Sequence, residues 1–185
     1  MKVILYMAVT VDGMIAKEND DTSFVSETEW KSFRLMIQRV GNIVIGERTY
    51  KIMEKGGEFN NMESIRVVAV SHDDFIQTAQ GSPSVVRSPK EALELLEKEG
   101  FHEALVAGGG QLNGSFMEEK LIDEIYLDIE PVALGKGIKL FNGKELETKL
   151  ELIETRKLSE NAIQLHYRVL RGVRYSVSNR FGHTE

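Results

Sequence analysis

Apolar residues in this chain fall into short runs, and most of the runs end on a glycine or a polar turn. Val3-Ile4-Leu5-Tyr6-Met7-Ala8-Val9 shows no polar alternation, which predicts a strand over residues 2–11 with both faces buried. Shorter runs of the same kind predict strands at 43–45, 65–70, 84–86, 103–107 and 122–129. Between them the spacing becomes helical. Trp30, Phe33, Ile37 and Val40 share one helical face, preceded by Ser26 and Glu29 at capping-box spacing and closed by Gly41-Asn42. Ser88-Pro89 opens another helix, which turns Ala92, Leu93, Leu95 and Leu96 inward and stops at Gly100.

Two further helices are expected directly after Gly46 and Gly110. Residues 14–16 read as an irregular extended piece, 17–24 as a polar turn-like segment and 131–143 as a glycine-rich loop. Residues 149–158 and 162–170 read as a hairpin joined at Ser159-Glu160-Asn161. Strands alternating with helices and ending in an antiparallel pair predict an α/β fold. Its sheet is mostly parallel with an antiparallel C-terminal edge. A single domain over 1–170 is expected, with 171–185 as a tail or arm.

At 185 residues the chain is long enough to bury a full core, and 42% hydrophobic and 28% charged residues are ordinary for a globular domain. A net charge of −6 argues against a nucleic-acid partner, which calls for a basic face. With no cysteine, disulfides, thiolate metal sites and cysteine nucleophiles are excluded. No apolar stretch approaches the roughly 20 residues of a membrane span, and Asp12-Gly13 interrupts the first run too early for a secretory leader. A soluble, cytoplasmic protein is expected. His72, His102, His166 and His183 are far apart, none at metal-ligand spacing, and Asp73-Asp74 reads as a solvated turn, so no metal is expected.

The chemistry lies in the glycine ends. Over residues 103–117 a buried strand breaks into Gly108-Gly109-Gly110 and re-forms as a helix. Without a Cβ, such a turn lets backbone N–H groups approach a ligand, and the helix start adds partial positive charge and free donors suited to phosphate. Gly46-Glu47-Arg48-Thr49 repeats the arrangement, with a guanidinium and a hydroxyl in the first turn. Two such strand ends in one sheet can grip the two ends of an elongated ligand, which suggests a dinucleotide. Neither G-x-G-x-x-G nor a Walker A loop occurs, and no G-x-S-x-G elbow supports a serine hydrolase.

Ala8-Val9-Thr10-Val11-Asp12-Gly13-Met14-Ile15-Ala16, Val44-Ile45-Gly46-Glu47-Arg48-Thr49-Tyr50 and Ala107-Gly108-Gly109-Gly110-Gln111-Leu112 resemble, in order and spacing, the dihydrofolate reductase superfamily. The likeness is greatest to the branch containing the reductase domain of bacterial riboflavin biosynthesis, and it spans residues 2–170. It implies a three-layer fold with a mostly parallel eight-stranded sheet, and an NADPH-dependent reductase. By the same resemblance Ala8 and its neighbours meet the nicotinamide, with Gly13 a further cofactor residue. Gly46, Arg48 and Thr49 hold cofactor phosphates. Gly108, Gly109, Gly110, Gln111 and Leu112 pass under the pyrophosphate and nicotinamide, with an unusual peptide bond between the first two glycines. Ser71 falls near the adenosine ribose and its 2′-phosphate, so Arg48, Ser71 and Arg87 are candidates for preferring NADPH over NADH.

Folate reductases carry a carboxylate at the start of the first long helix; a gap-free count brings Trp30 there, with Glu27 and Glu29 beside it. The riboflavin branch keeps an acid at Asp12 on the substrate side. Asp12, Glu27 and Glu29 are therefore the candidate proton donors. The alternatives are ordinary first-turn acids for the glutamates and a turn cap for Asp12. The implied reaction delivers a hydride to a C=N or ring-opened sugar carbon of a pyrimidine- or pteridine-type substrate. Foremost is 5-amino-6-(5-phosphoribosylamino)uracil; dihydrofolate or another pterin comes next. Residues 17–24 could form a lid. An NADPH-binding domain without turnover is the alternative from another class, and a homodimer through the C-terminal hairpin is the expected assembly.

Overall fold

In the computed structural model, which describes residues 1–62, 64–72, 83–143 and 145–171, β1 (Lys2–Thr10) is the pivot of the architecture. Val3 and Leu5 point to one face of the sheet, Ile4 and Tyr6 to the other, and all four are buried. Period-2 alternation thus serves two cores at once, which is why the sequence there shows no polar positions. After β1 come β2 (Met14–Ala16), α1 (Glu27–Val40), β3 (Asn42–Gly46), α2 (Glu47–Gly56) and a 3₁₀ turn (Glu58–Asn61). They are followed by β4 (Arg66–Val70), β5 (Ser84–Val86), α3 (Pro89–Lys98), β6 (Glu103–Val106) and α4 (Gly110–Glu118). The chain then forms β7 (Glu124–Glu130), β8 (Ile138–Lys139), β9 (Leu150–Lys157) and β10 (Ile163–Val169).

Eight strands form one sheet in the order β5-β4-β3-β6-β1-β7-β10-β9. The first six are mutually parallel, and β10 and β9 add the antiparallel edge. Phe33, Ile37, Val40, Tyr50 and Met53 of α1 and α2 cover one face, while Ala92, Leu96, Leu112, Phe116 and Met117 of α3 and α4 cover the other. This is the expected three-layer α/β arrangement. No helix among the described residues is long and apolar enough to cross a membrane.

The helix signals hold in detail. Ser26 and Ser88 cap α1 and α3, accepting from the Glu29 and Glu91 backbone N–H groups, and Gly41 ends α1 in the left-handed region at φ 78°. Two pieces differ from the reading. Residues 14–16 and 138–139, taken as irregular and as loop, pair as a small second sheet of β2 and β8. Three and two residues are too few to display a period. Gly137 lies in that contact, where a Cβ would stand 2.4 Å from the Ala16 carbonyl oxygen. Asp73-Asp74, His183 and residues 172–185 of the expected tail lie outside the described residues.

Candidate functional site

A cleft of about 920 Å³ opens at the carboxyl ends of β1, β3, β4 and β6. β3 and β6 are neighbours, and their glycine ends meet: the Gly46 N–H donates to the Gly108 carbonyl at 2.8 Å. α2 and α4 therefore start side by side, capped by Gly46 and Gly109 with no side-chain cap on either. The residues of both first turns line the cleft, where a helix start leaves backbone N–H groups without an intrahelical partner. The Gly108–Gly109 peptide is cis, as the resemblance implies, and Gly108 sits at φ 90°, a conformation that favours glycine. A Cβ on Gly109 would lie 3.2 Å from the Thr49 hydroxyl, so the bare backbone leaves a cradle between the helix starts. A Cβ on Gly110 would stand 2.3 Å from the Lys139 carbonyl oxygen, since β8 and the turn after it cover α4. The cradle, two sets of helix N–H donors and the Thr49 hydroxyl fit a pyrophosphate. Ala8, Gln111 and Leu112 line the same cleft. Gly13 does not; it stays at the β1–β2 turn, donating to the Thr10 carbonyl.

The three candidate acids separate sharply. Glu29 lines the cleft yet is only 4% exposed, and its carboxyl is pushed up to about 8. Burial is the main cause, followed by the negative charges of Asp128 and Glu130. Its inward turn has a mechanical origin. In a full capping box Glu29 would fold back to the Ser26 N–H, but Glu130 of β7 takes that N–H at 3.1 Å and the Ser26 hydroxyl at 2.8 Å. Glu29 is thereby released toward the cleft. Glu27, by contrast, points outward and pairs with Arg34 at 3.0 Å. Asp12 is outside the cleft lining. It accepts from the Thr10 hydroxyl at 2.5 Å and from the Leu134 and Gly135 N–H groups, contacts that hold it below the usual carboxylate range. Of the three candidate proton donors, the structure thus brings only Glu29 into the cleft; Asp12 staples a turn and Glu27 stands in a surface ion pair.

A test of the Asp12 assignment follows from its sign. A depressed carboxyl stabilises the fold above its unfolded pKa and loses that contribution as pH falls through the folded value. Asp12→Asn should lower the melting temperature at pH 7, and the difference from wild type should shrink as pH falls below the ordinary carboxylate value in a thermal-melt series.

Behind Glu29 lies a polar cluster that sequence reasoning missed. Asp128 is buried and accepts from the Tyr6 hydroxyl and, at 2.7 Å, from the Gln164 side chain on the facing β10. Burial raises the Asp128 carboxyl, and burial and the Asp128 charge raise the Tyr6 phenol. A signal was present: Asp128 and Glu130 stand two apart in a strand, which puts both on one face.

The phosphate candidates are engaged with other groups. Arg48 closes on Asp20 of the 17–24 segment at 2.6 Å, tying that segment across the mouth of the cleft. Ser71, at the end of β4, donates to the Glu47 carboxylate, which also receives the Lys51 ammonium. Ser71, His72 and Arg87 line this end of the cleft. His102 is exposed and His166 pairs with Glu124 at 3.0 Å.

Residues 1–164 match the family described as RibD C-terminal domain. Among curated relatives, the uncharacterized protein YwjB of Bacillus subtilis (strain 168) is 31% identical over 178 residues, covering 90% of this chain and 97% of its own length. A putative riboflavin biosynthesis protein from Shewanella sp. PV-4 superimposes with a TM-score of 0.76 at 24% identity, over 92% of this chain and 100% of that one. The diaminohydroxyphosphoribosylaminopyrimidine deaminase/5-amino-6-(5-phosphoribosylamino)uracil reductase of Thermotoga maritima does so at 0.75 and 16%, over 91% of this chain and 56% of that one. These last two likenesses are of fold. With nearly its whole length matched, the chain belongs to the RibD C-terminal domain family.

Proposed function

We propose that the protein is a reductase delivering a hydride to a C=N or ring-opened sugar carbon of a pyrimidine- or pteridine-type heterocycle. The observation that carries the reading is Glu29, a carboxyl kept protonated at neutral pH in the same cleft as the glycine cradle. A reduced nicotinamide dinucleotide bound there would supply the hydride. The chain's own part is the rest. Backbone N–H groups at Gly109 and Gly110, with Thr49, would hold the pyrophosphate, while Ala8, Gln111 and Leu112 flank the nicotinamide end. Trp30 and Phe33 wall the substrate side, and the segment bearing Asp20 and Thr22 excludes water. Glu29 would give its proton to the heteroatom of the bond being reduced.

Family membership favours 5-amino-6-(5-phosphoribosylamino)uracil as substrate, with NADPH the cofactor form the resemblance implies. A pterin is the second reading, favoured by the emergence of Glu29 from the first turn of α1. Incubation with NADPH or NADH and a panel of both substrate classes should show cofactor oxidation with one of them. Cofactor binding without turnover across the panel would leave a binding domain only. The edge strand β9 leaves Leu150, Leu152 and Ile153 exposed, and we propose that a second copy covers it, so that light scattering gives the mass of a dimer.

A further inference from the structure

The adenosine end of the cleft carries a carboxylate where the implied cofactor would carry a phosphate. Strand order runs β1-β6-β3-β4-β5. A dinucleotide with its pyrophosphate on the Gly46 and Gly109 helix starts and its nicotinamide toward β1 must extend its other half over the ends of β4 and β5. The side chains lining that end include Glu47, Ser71, His72 and Arg87. Glu47 stands in the first turn of α2 and is held from two sides, by the Lys51 ammonium on one oxygen and the Ser71 hydroxyl on the other. These contacts, that of Lys51 foremost, keep the carboxyl below its usual range, so it is charged at neutral pH.

We propose that Glu47 selects an adenosine ribose with a free 2′-hydroxyl, so that this chain takes NADH in preference to NADPH; the inference rests on the dinucleotide reading above. A ribose hydroxyl can donate to a carboxylate, the arrangement by which doubly wound dinucleotide folds read the same group. A 2′-phosphate would bring a second anion against the first, and such like-charge contacts are strongly unfavourable. Lys51 can answer that anion only by leaving Glu47, and Arg48 is already paired with Asp20. Arg87 works in the opposite direction from the end of β5. The ratio of the two affinities is therefore the quantity to measure.

Trp30 is the sole tryptophan of the chain and lines the cleft, so quenching of its emission reports cofactor binding without turnover. Wild type should bind NADH about tenfold or more tightly than NADPH, Glu47→Gln should bring the two within about threefold, and Glu47→Arg should invert the order. The amide in Glu47→Gln keeps an oxygen for the Ser71 hydroxyl, so NADH binding by that variant also controls for folding. A wild type that prefers NADPH, or an unchanged ratio in Glu47→Gln, would overturn the role of Glu47 while leaving the dinucleotide site standing. Binding of neither cofactor would overturn the site and the assignment together.

Discussion

Replacing Glu29 with glutamine is expected to lower kcat by about 10²–10⁴-fold, the usual worth of a positioned general acid, with the dissociation constant of the cofactor unchanged. The separation follows from position. Glu29 rises from α1 on the substrate side, whereas the cradle is built by β3, β6 and the helix starts after them. A loss of cofactor affinity equal to the loss of kcat would assign Glu29 to binding instead. Because its carboxyl titrates at about 8, turnover should hold through neutrality and fall above that value. The same raised pKa ties Glu29 to stability. Between the ordinary carboxyl value and about 8 the folded state binds more protons than the unfolded state. Its stabilising contribution is therefore complete in acid and lost as pH rises through the folded value. Each unit of difference is worth about 1.4 kcal/mol, so the effect amounts to a few kcal/mol. Asp128 shifts in the same direction, and the comparison that isolates Glu29 is wild type against Glu29→Gln. The variant should match wild type in melting temperature near pH 4 and exceed it increasingly toward pH 9.

Gly109→Val should abolish cofactor binding, a loss of at least about 100-fold in affinity, or nearly 3 kcal/mol. The first atom of the new side chain meets the Thr49 hydroxyl at 3.2 Å, and the two branches beyond it occupy the gap into which the helix N–H groups point. Backbone φ at Gly109 is −75°, a value valine adopts readily, so the fold should survive. A cooperative melt close to wild type, together with absent quenching of Trp30 by NADH or NADPH, is the expected pair of results. Retained affinity in a folded variant would refute the cradle as the pyrophosphate site. Gly110→Ala is a poorer probe, since a Cβ there strikes the Lys139 carbonyl and disturbs the β8 cover itself.

Most of the architecture was legible because its signals are local. An unbroken apolar run marks a strand buried on both faces, a serine just ahead of a helical stripe marks a cap, and a glycine after it marks a stop. Each is decided by neighbours a few residues away. The β2–β8 pair was not legible, since it joins residues about 120 positions apart and neither piece is long enough to show a period. The glycine ends were legible as phosphate turns for the same local reason, and the resemblance ordered them into a cofactor site. Local spacing could not show that Arg48 would be taken by Asp20, or that Ser71 would face Glu47, because both partnerships cross between elements.

The acids make the division plain. By itself the sequence determined a mostly parallel α/β sheet, two glycine-ended strands suited to a dinucleotide, and three candidate carboxylates. Spacing alone makes Glu27 and Glu29 equivalent, two first-turn acids favoured by the helix dipole. Only the tertiary structure decided between them. Glu130, 104 residues downstream of Ser26, accepts the Ser26 N–H that a capping box would give to Glu29 and so frees Glu29, while Asp128 beside it supplies the charge that, with burial, keeps Glu29 protonated. A proton affinity is set by desolvation and by charges close in space, and neither is ordered along the chain.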